Sequence, residues 1–167
     1  LTYSFGSLSG TIATKTSSTN ISWTLPTTFY GQIPNSKSGT GTITCQTYNG
    51  SSLIGSKSTS FTATVNESAS KPTLSPTVRD SNTTTTALTG DSSKFIKYYS
   101  NASVATGAKA RNSATLKSYK ITCGSKSITN ASGTINAVES GSFTFSATDS
   151  RGYTTTQTIN KTLIDYI

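Results

Sequence analysis

The 167 residues include no histidine, no methionine, only two cysteines and only 12% charged side chains. Each shortage removes a class of chemistry. Without histidine there is no Ser-His-Asp or Cys-His arrangement and no ordinary zinc site. Two cysteines do not build a metal centre by themselves. No loop follows a phosphate-cradling glycine pattern. No apolar run reaches the ~18 residues that a membrane helix needs, so no membrane insertion is expected. No signal-peptide pattern is visible. A chain without even an initiating methionine is expected to be a fragment of a longer protein or a processed product.

Acids are equally sparse: Glu67, Asp80, Asp91, Glu139, Asp149 and Asp165 are all there are. Glycoside hydrolysis needs two carboxyls about 5–10 Å apart across a cleft. No two of these six stand in a recognisable motif, and most fall in turns, where Asp serves the backbone. The expectation is therefore no enzyme, with no catalytic residue, no metal and no cofactor.

What the chain does have is Ser and Thr, roughly two-fifths of it. Its apolar residues recur with a period of two and are bounded by Gly and Asn, which argues for short strands and against disorder. No segment holds a 3.6-residue apolar period for three turns, so helix is not expected. The stretch Glu139–Ile159 is the clearest case. Phe143, Phe145 and Ala147 alternate with hydroxyls, Asp149-Ser150-Arg151-Gly152 reads as a turn, and a Thr run follows. This hairpin resembles the last two strands of an immunoglobulin-like sandwich.

The same reading places strands over Leu1–Phe5, Thr11–Lys15, Ile21–Leu25, Thr42–Tyr48, with Asn49-Gly50 as hairpin turn, and Ser52–Val65. The alternation of Ile21, Trp23 and Leu25 turns the single Trp inward. A short helical turn is allowed over Thr27–Pro34. Pro72 marks a boundary. Beyond it, strands are expected over Pro72–Val78, Lys94–Thr106, Ala114–Cys123, Ser125–Thr129 and Gly133–Ala137, with Arg79–Gly90 a Thr-rich loop. The last segment switches parity, with Ile159 and Leu163 on one face and Ile164 and Tyr166 on the other. The expected fold is all-β: two consecutive immunoglobulin-like or fibronectin-like β-sandwich modules, residues 1–70 and 71–167.

Gly41–Asn49 matches Gly141–Asp149 at an offset of 100. If this is a repeat, the first module lacks N-terminal strands and looks incomplete. Cys45 and Cys123 each end an Ile-Thr-Cys phrase. They read as two small buried hydrophobes, or as a bridge between modules. The net charge of +8 is uneven: residues 1–70 carry +2 and residues 71–167 carry +6. It reads as a solvated face, or as attraction to an anionic wall; basic residues do not cluster with aromatics as nucleic-acid binding requires. Tyr98 and Tyr99 are adjacent, so a strand puts one ring on each face. One is expected to be exposed, and the pair is the candidate glycan contact.

Four phrases, Leu1–Ile12, Ser22–Pro26, Gly41–Ser51 and Ala147–Gly152, resemble a family of minor structural proteins encoded by siphophages of streptococci and related Gram-positive bacteria. The family is described as of unknown function. In that family the first module begins upstream of a strand like Thr2-Tyr3. The resemblance implies a virion location in the phage tail, exposed to the host surface. It implies a spacer role with host-surface contact, or a dedicated carbohydrate-binding adhesin. The implied partners are other phage tail proteins, host cell-wall polysaccharide and further copies through regions outside these residues.

Overall fold

The computed structural model describes residues 1–166 and is built mainly of short strands, thirteen among the described residues. The first part runs β1 (Thr2–Phe5), β2 (Leu8–Thr11), a 3-10 helix (Thr27–Gln32), β3 (Ser38–Asn49) and β4 (Ser52–Thr64), then one helical turn, α1 (Glu67–Ser70). The strands lie in a single antiparallel sheet ordered β2-β1-β3-β4. As the Asn-Gly dipeptide indicates, β3 and β4 close a hairpin with Asn49 opposite Ser52 and Gly50 at φ 61°. One face of the sheet buries Phe5, Ala63 and Val65. That face is covered by Phe29 and Ile33, by Trp23, and by Tyr153 from far along the chain, not by a second sheet.

Close packing explains Gly41. The rings of Phe5 and Phe61 cross directly over it, and an added Cβ would lie 2.5 Å from Phe61 Cζ. Phe5 then stacks on Phe29 with centroids 4.5 Å apart. The segment expected as a strand over Ile21–Leu25 is not one. Its Trp23 is pinned by packing, stacked 4.9 Å from Tyr3 and edge-on to Phe61, so the segment needs no ladder partner. Trp23 is accordingly half-buried, a lid on the core and not its centre. The return strand after β1 also comes earlier than Thr11–Lys15, because Gly6 at φ 57° turns the chain at once. β1 pairs only with Thr42–Thr44 of β3, so the hairpin continues as a two-stranded ribbon. Cys45 lies there, exposed and free, which corrects its expected burial and leaves no bridge to Cys123.

The second part runs β5 (Thr77–Asp80), α2 (Thr83–Thr89), β6 (Lys94–Ile96), β7 (Ala102–Ala105), β8 (Leu116–Cys123), β9 (Lys126–Ile128), β10 (Ser132–Ile135), β11 (Ser142–Asp149), β12 (Thr154–Asn160) and β13 (Thr162–Ile164). Two sheets, β10-β7-β5 and β12-β11-β8-β9, face one core. The first contributes Val78, Val104 and Ile135; the second contributes Ile121, Cys123, Phe143 and Phe145; Phe95 of β6 fills the gap between them. β11 alternates buried and open positions along its whole length, as its sequence requires. Each fully buried Phe contributes about 1.5–3 kcal/mol relative to an exposed one.

Three local expectations fail here for identifiable reasons. The Arg79–Gly90 loop contains a helix, α2, despite four consecutive threonines. Caps override the weak propensity: the Asn82 side chain accepts the Thr84 amide, and Gly90 ends the helix in the left-handed region at φ 66°. The strand expected over Pro72–Val78 starts only at Thr77; Thr73 makes an isolated bridge to Lys109. Lys94–Thr106 is two strands with a tight turn between them, where Ser100 N–H donates to Ile96 O at 2.9 Å. The parity switch near the end has a clear cause. The chain leaves β12 at Lys161, and β13 crosses to pair in parallel with β6. Ile159 and Leu163 both reach the core in spite of the change of sheet. The two matching phrases, Gly41–Asn49 and Gly141–Asp149, fall largely within β3 and β11, each flanked by two neighbours and each leading into a hairpin. Among the described residues no helix is long and apolar enough to cross a membrane.

Candidate functional site

The turn Asp149–Tyr153 carries a dense set of polar contacts. Asp149 Oδ1 accepts the amides of Arg151 and Tyr153, each at 2.9 Å, which fixes the turn. That much is ordinary Asp turn chemistry. Arg151 then runs inward, with no exposed side-chain surface. Its Nε donates to Ile33 O at 2.7 Å. One terminal nitrogen donates to Arg111 O at 3.0 Å, and the other to Tyr30 O at 2.8 Å and to Asn112 O. Tyr30 and Ile33 belong to the first part of the chain, Arg111 and Asn112 to the second. The guanidinium fork thus joins four carbonyls from both parts, a task suited to its five fixed donors. Asp149 Oδ2 accepts no hydrogen bond but lies 3.8 Å from the guanidinium.

Neighbours extend this junction. Ser150 Oγ donates to Pro34 O, and the Tyr153 hydroxyl donates to Val65 O at 2.9 Å. Burial pushes the Tyr153 phenol above its usual pKa, and the Glu67 charge adds to the shift. Lys37 Nζ sits 5.2 Å from the centroid of the same ring. Asn112 Nδ2 donates to Ser70 Oγ at 2.9 Å. The turn itself is legible in the sequence. The destination of Arg151 is not, since all four acceptors are backbone carbonyls at least 39 residues away.

Most acids are occupied in local structure. Asp80 accepts the Thr85 and Ser100 hydroxyls through Oδ2 and the Asn82 amide through Oδ1, tying α2 to β5 and to the turn after β6. The Ser93 amide and hydroxyl hold Asp91 below the usual carboxylate range. Glu139 is held low in the same way by the Ser125 hydroxyl and amide, with Lys126 nearby. Glu67 opens α1. Among the described residues no group of three His, Cys, Asp or Glu side chains could hold a metal. Cys123 is buried, donates to Ser140 O, and burial pushes its thiol pKa up.

Tyr98 and Tyr99 do not sit on a strand with one ring inside. Both lie in the turn between β6 and β7, and both are exposed. Tyr98 adopts φ 65°, a left-handed conformation that bulky residues rarely take. The turn is held by Tyr98 N–H donating to Val138 O at 2.7 Å, and by Asn82 Nδ2 donating to Tyr99 O at 2.9 Å. The structure adds a third exposed ring. Tyr166, just after β13, meets Tyr99 edge-to-face with centroids 5.8 Å apart. Sequence reasoning had no signal for Tyr166, because only the parallel β6–β13 pairing brings it there.

Comparison with known proteins gives one family. The family described as "Siphovirus protein of unknown function (DUF859)" matches residues 1–167. No curated protein and no solved structure matches the chain. An all-β chain whose parts are joined through a buried arginine, and whose whole length fits that family, belongs to the siphovirus protein family DUF859.

Proposed function

We propose that this chain is a non-enzymatic structural module of the phage particle, located in the tail, where it acts as a spacer and touches the surface of a streptococcal or related Gram-positive host. The observation that carries the reading is the Arg151 junction. A spacer must transmit position, and here one buried side chain, held within the second part by Arg111 O and Asn112 O, donates two hydrogen bonds across to the first, to Ile33 O and Tyr30 O. Family membership supports a phage origin. Two sheets on one core, with a hairpin ending at the Asp-Ser-Arg-Gly turn, suit an immunoglobulin-like module for residues 71–167. Other tail proteins are the natural partners.

The test is direct. Particles purified by density gradient should contain the protein by mass spectrometry, and gold-labelled antibodies against it should decorate the tail. Presence in the lysate together with absence from purified particles would overturn the reading. A second reading, a dedicated adhesin for a wall glycan, is favoured by the exposed rings of Tyr98, Tyr99 and Tyr166 around the turn after β6. Co-sedimentation with walls from a panel of hosts separates the two. An adhesin binds selectively and resists salt, whereas the +8 charge acting alone binds all walls and is displaced by salt.

A further inference from the structure

We infer that Tyr98, Tyr99 and Tyr166 form a rigid platform for a neutral saccharide. The inference rests on the host-contact reading above and names its ligand class. Four observations converge. The rings are 60%, 60% and 65% exposed, although each belongs to a segment anchored to the core. Lys97 N–H donates to Ile164 O, Tyr98 N–H to Val138 O and Tyr99 N–H to Ile96 O, so the backbone beneath Tyr98 and Tyr99 is pinned and is tied to the end of β13, from which Tyr166 reaches the Tyr99 ring. A platform that does not reorganise loses little entropy when a ligand lands on it.

Tyr98 is also held against its own preference. Its φ of 65° lies in the left-handed region that a bulky non-glycine residue rarely adopts. Strain of this kind persists where the surrounding structure imposes it, and here it turns an aromatic ring outward at a tight turn. Gly would take the same conformation freely.

Among the described residues the rim carries one ion pair. Lys97 Nζ lies 3.5 Å from Asp165 Oδ1 and 5.4 Å from the centroid of Tyr98. Pairing with Asp165 offsets the attraction that Lys97 alone would exert on a phosphate or a carboxylate. The pair leaves hydrogen-bond donors and acceptors beside apolar ring faces, along with three phenol hydroxyls. Sugar rings present the matching surface, with C–H faces for stacking and hydroxyls at the edges.

The area of the rings by themselves fits a small ligand. Three tyrosines at this exposure offer roughly 350 Å². A stable protein interface needs about 800 Å² from each side. The platform suits one or two sugar rings.

The experiment titrates the isotope-labelled chain with neutral, acidic and phosphate-bearing oligosaccharides of bacterial walls and follows amide shifts by NMR. Neutral probes should move the amides of Lys97–Ser100 and Asp165–Tyr166, at low and high salt alike. Tyr99→Ala and Tyr166→Ala should each weaken binding at least about fivefold. Tyr98→Gly should also weaken it, while its thermal midpoint equals or exceeds that of the parent, which separates a binding role from a folding role. Tyr48→Ala, on the exposed ribbon of the other sheet, should change nothing. The inference is overturned if no neutral probe moves these amides, if a variant combining Tyr98→Gly, Tyr99→Ala and Tyr166→Ala binds as before, or if only phosphate-bearing probes bind and salt removes them. A chain silent to sugars yet present in purified particles would sink this inference alone and leave the structural reading standing.

Discussion

Replacing Arg151 with methionine should cost the protein about 4 kcal/mol and uncouple its two parts. The side chain donates to Ile33 O at 2.7 Å, Tyr30 O at 2.8 Å, Arg111 O at 3.0 Å and Asn112 O, and it lies 3.8 Å from the Asp149 carboxylate. Hydrogen bonds from a charged donor contribute about 1.5–3 kcal/mol each, but bonds from one group are not additive. Removing one partner of a buried ion pair costs about 3–5 kcal/mol, because the other charge stays buried. Methionine keeps most of the volume, so cavity formation adds little. For a chain of this size the loss lowers the thermal midpoint by roughly 8–16 °C.

The assay is urea unfolding with two probes. Trp23 is the only Trp and packs on the first core, so its fluorescence reports that core alone. Far-UV circular dichroism reports both parts. The parent should show coincident transitions, and Arg151→Met should show the Trp23 transition first. Adding Asp149→Asn should recover about 1–2 kcal/mol, since it removes the stranded charge and retains an acceptor for the turn amides. A loss under about 1 kcal/mol with coincident transitions would mean that the junction does not bear the coupling assigned to it.

Two further expectations follow from the same geometry. Tyr153→Phe should cost about 1 kcal/mol at pH 7 through loss of the bond to Val65 O. The folded phenol is raised above its ordinary value of 10.0, so its contribution is complete below pH 10 and is lost as pH rises through the folded value. Denaturation at stepped pH should therefore show the gap between parent and variant closing above pH 10; a gap that widens there would reverse the assigned cause. Gly41→Ala should destabilise the first core by about 1–3 kcal/mol, as the new methyl meets the Phe5 and Phe61 rings. A neutral result in a thermal melt would show that the rings move aside freely.

Most of the strand content could be read from local pattern. The alternation in Phe143, Phe145 and Ala147 dictates which face is buried, and Asn49-Gly50 dictates a hairpin, because both rules act over a few residues. The Thr83–Thr86 run illustrates the limit of such rules. Threonine prefers extended structure, but Asn82 and Gly90 cap the ends, and Asp80 holds Thr85 from a neighbouring strand. Trp23 illustrates another limit, since its alternating neighbours imitate a strand that packing does not require.

The candidate site divides in the same way. Local chemistry in the sequence set the strand-rich class, the hairpins, the Asp149 turn and the lack of histidine. What those pieces meet was set by the packing of distant segments. Arg151 finds carbonyls up to 121 residues away, and Tyr166 reaches Tyr99 through a parallel strand pair that no neighbouring residue announces. Backbone carbonyls are carried by every residue, so an acceptor has no signature in sequence. Its position is set when distant segments pack, and burial then makes each unpaired donor costly enough to choose one arrangement.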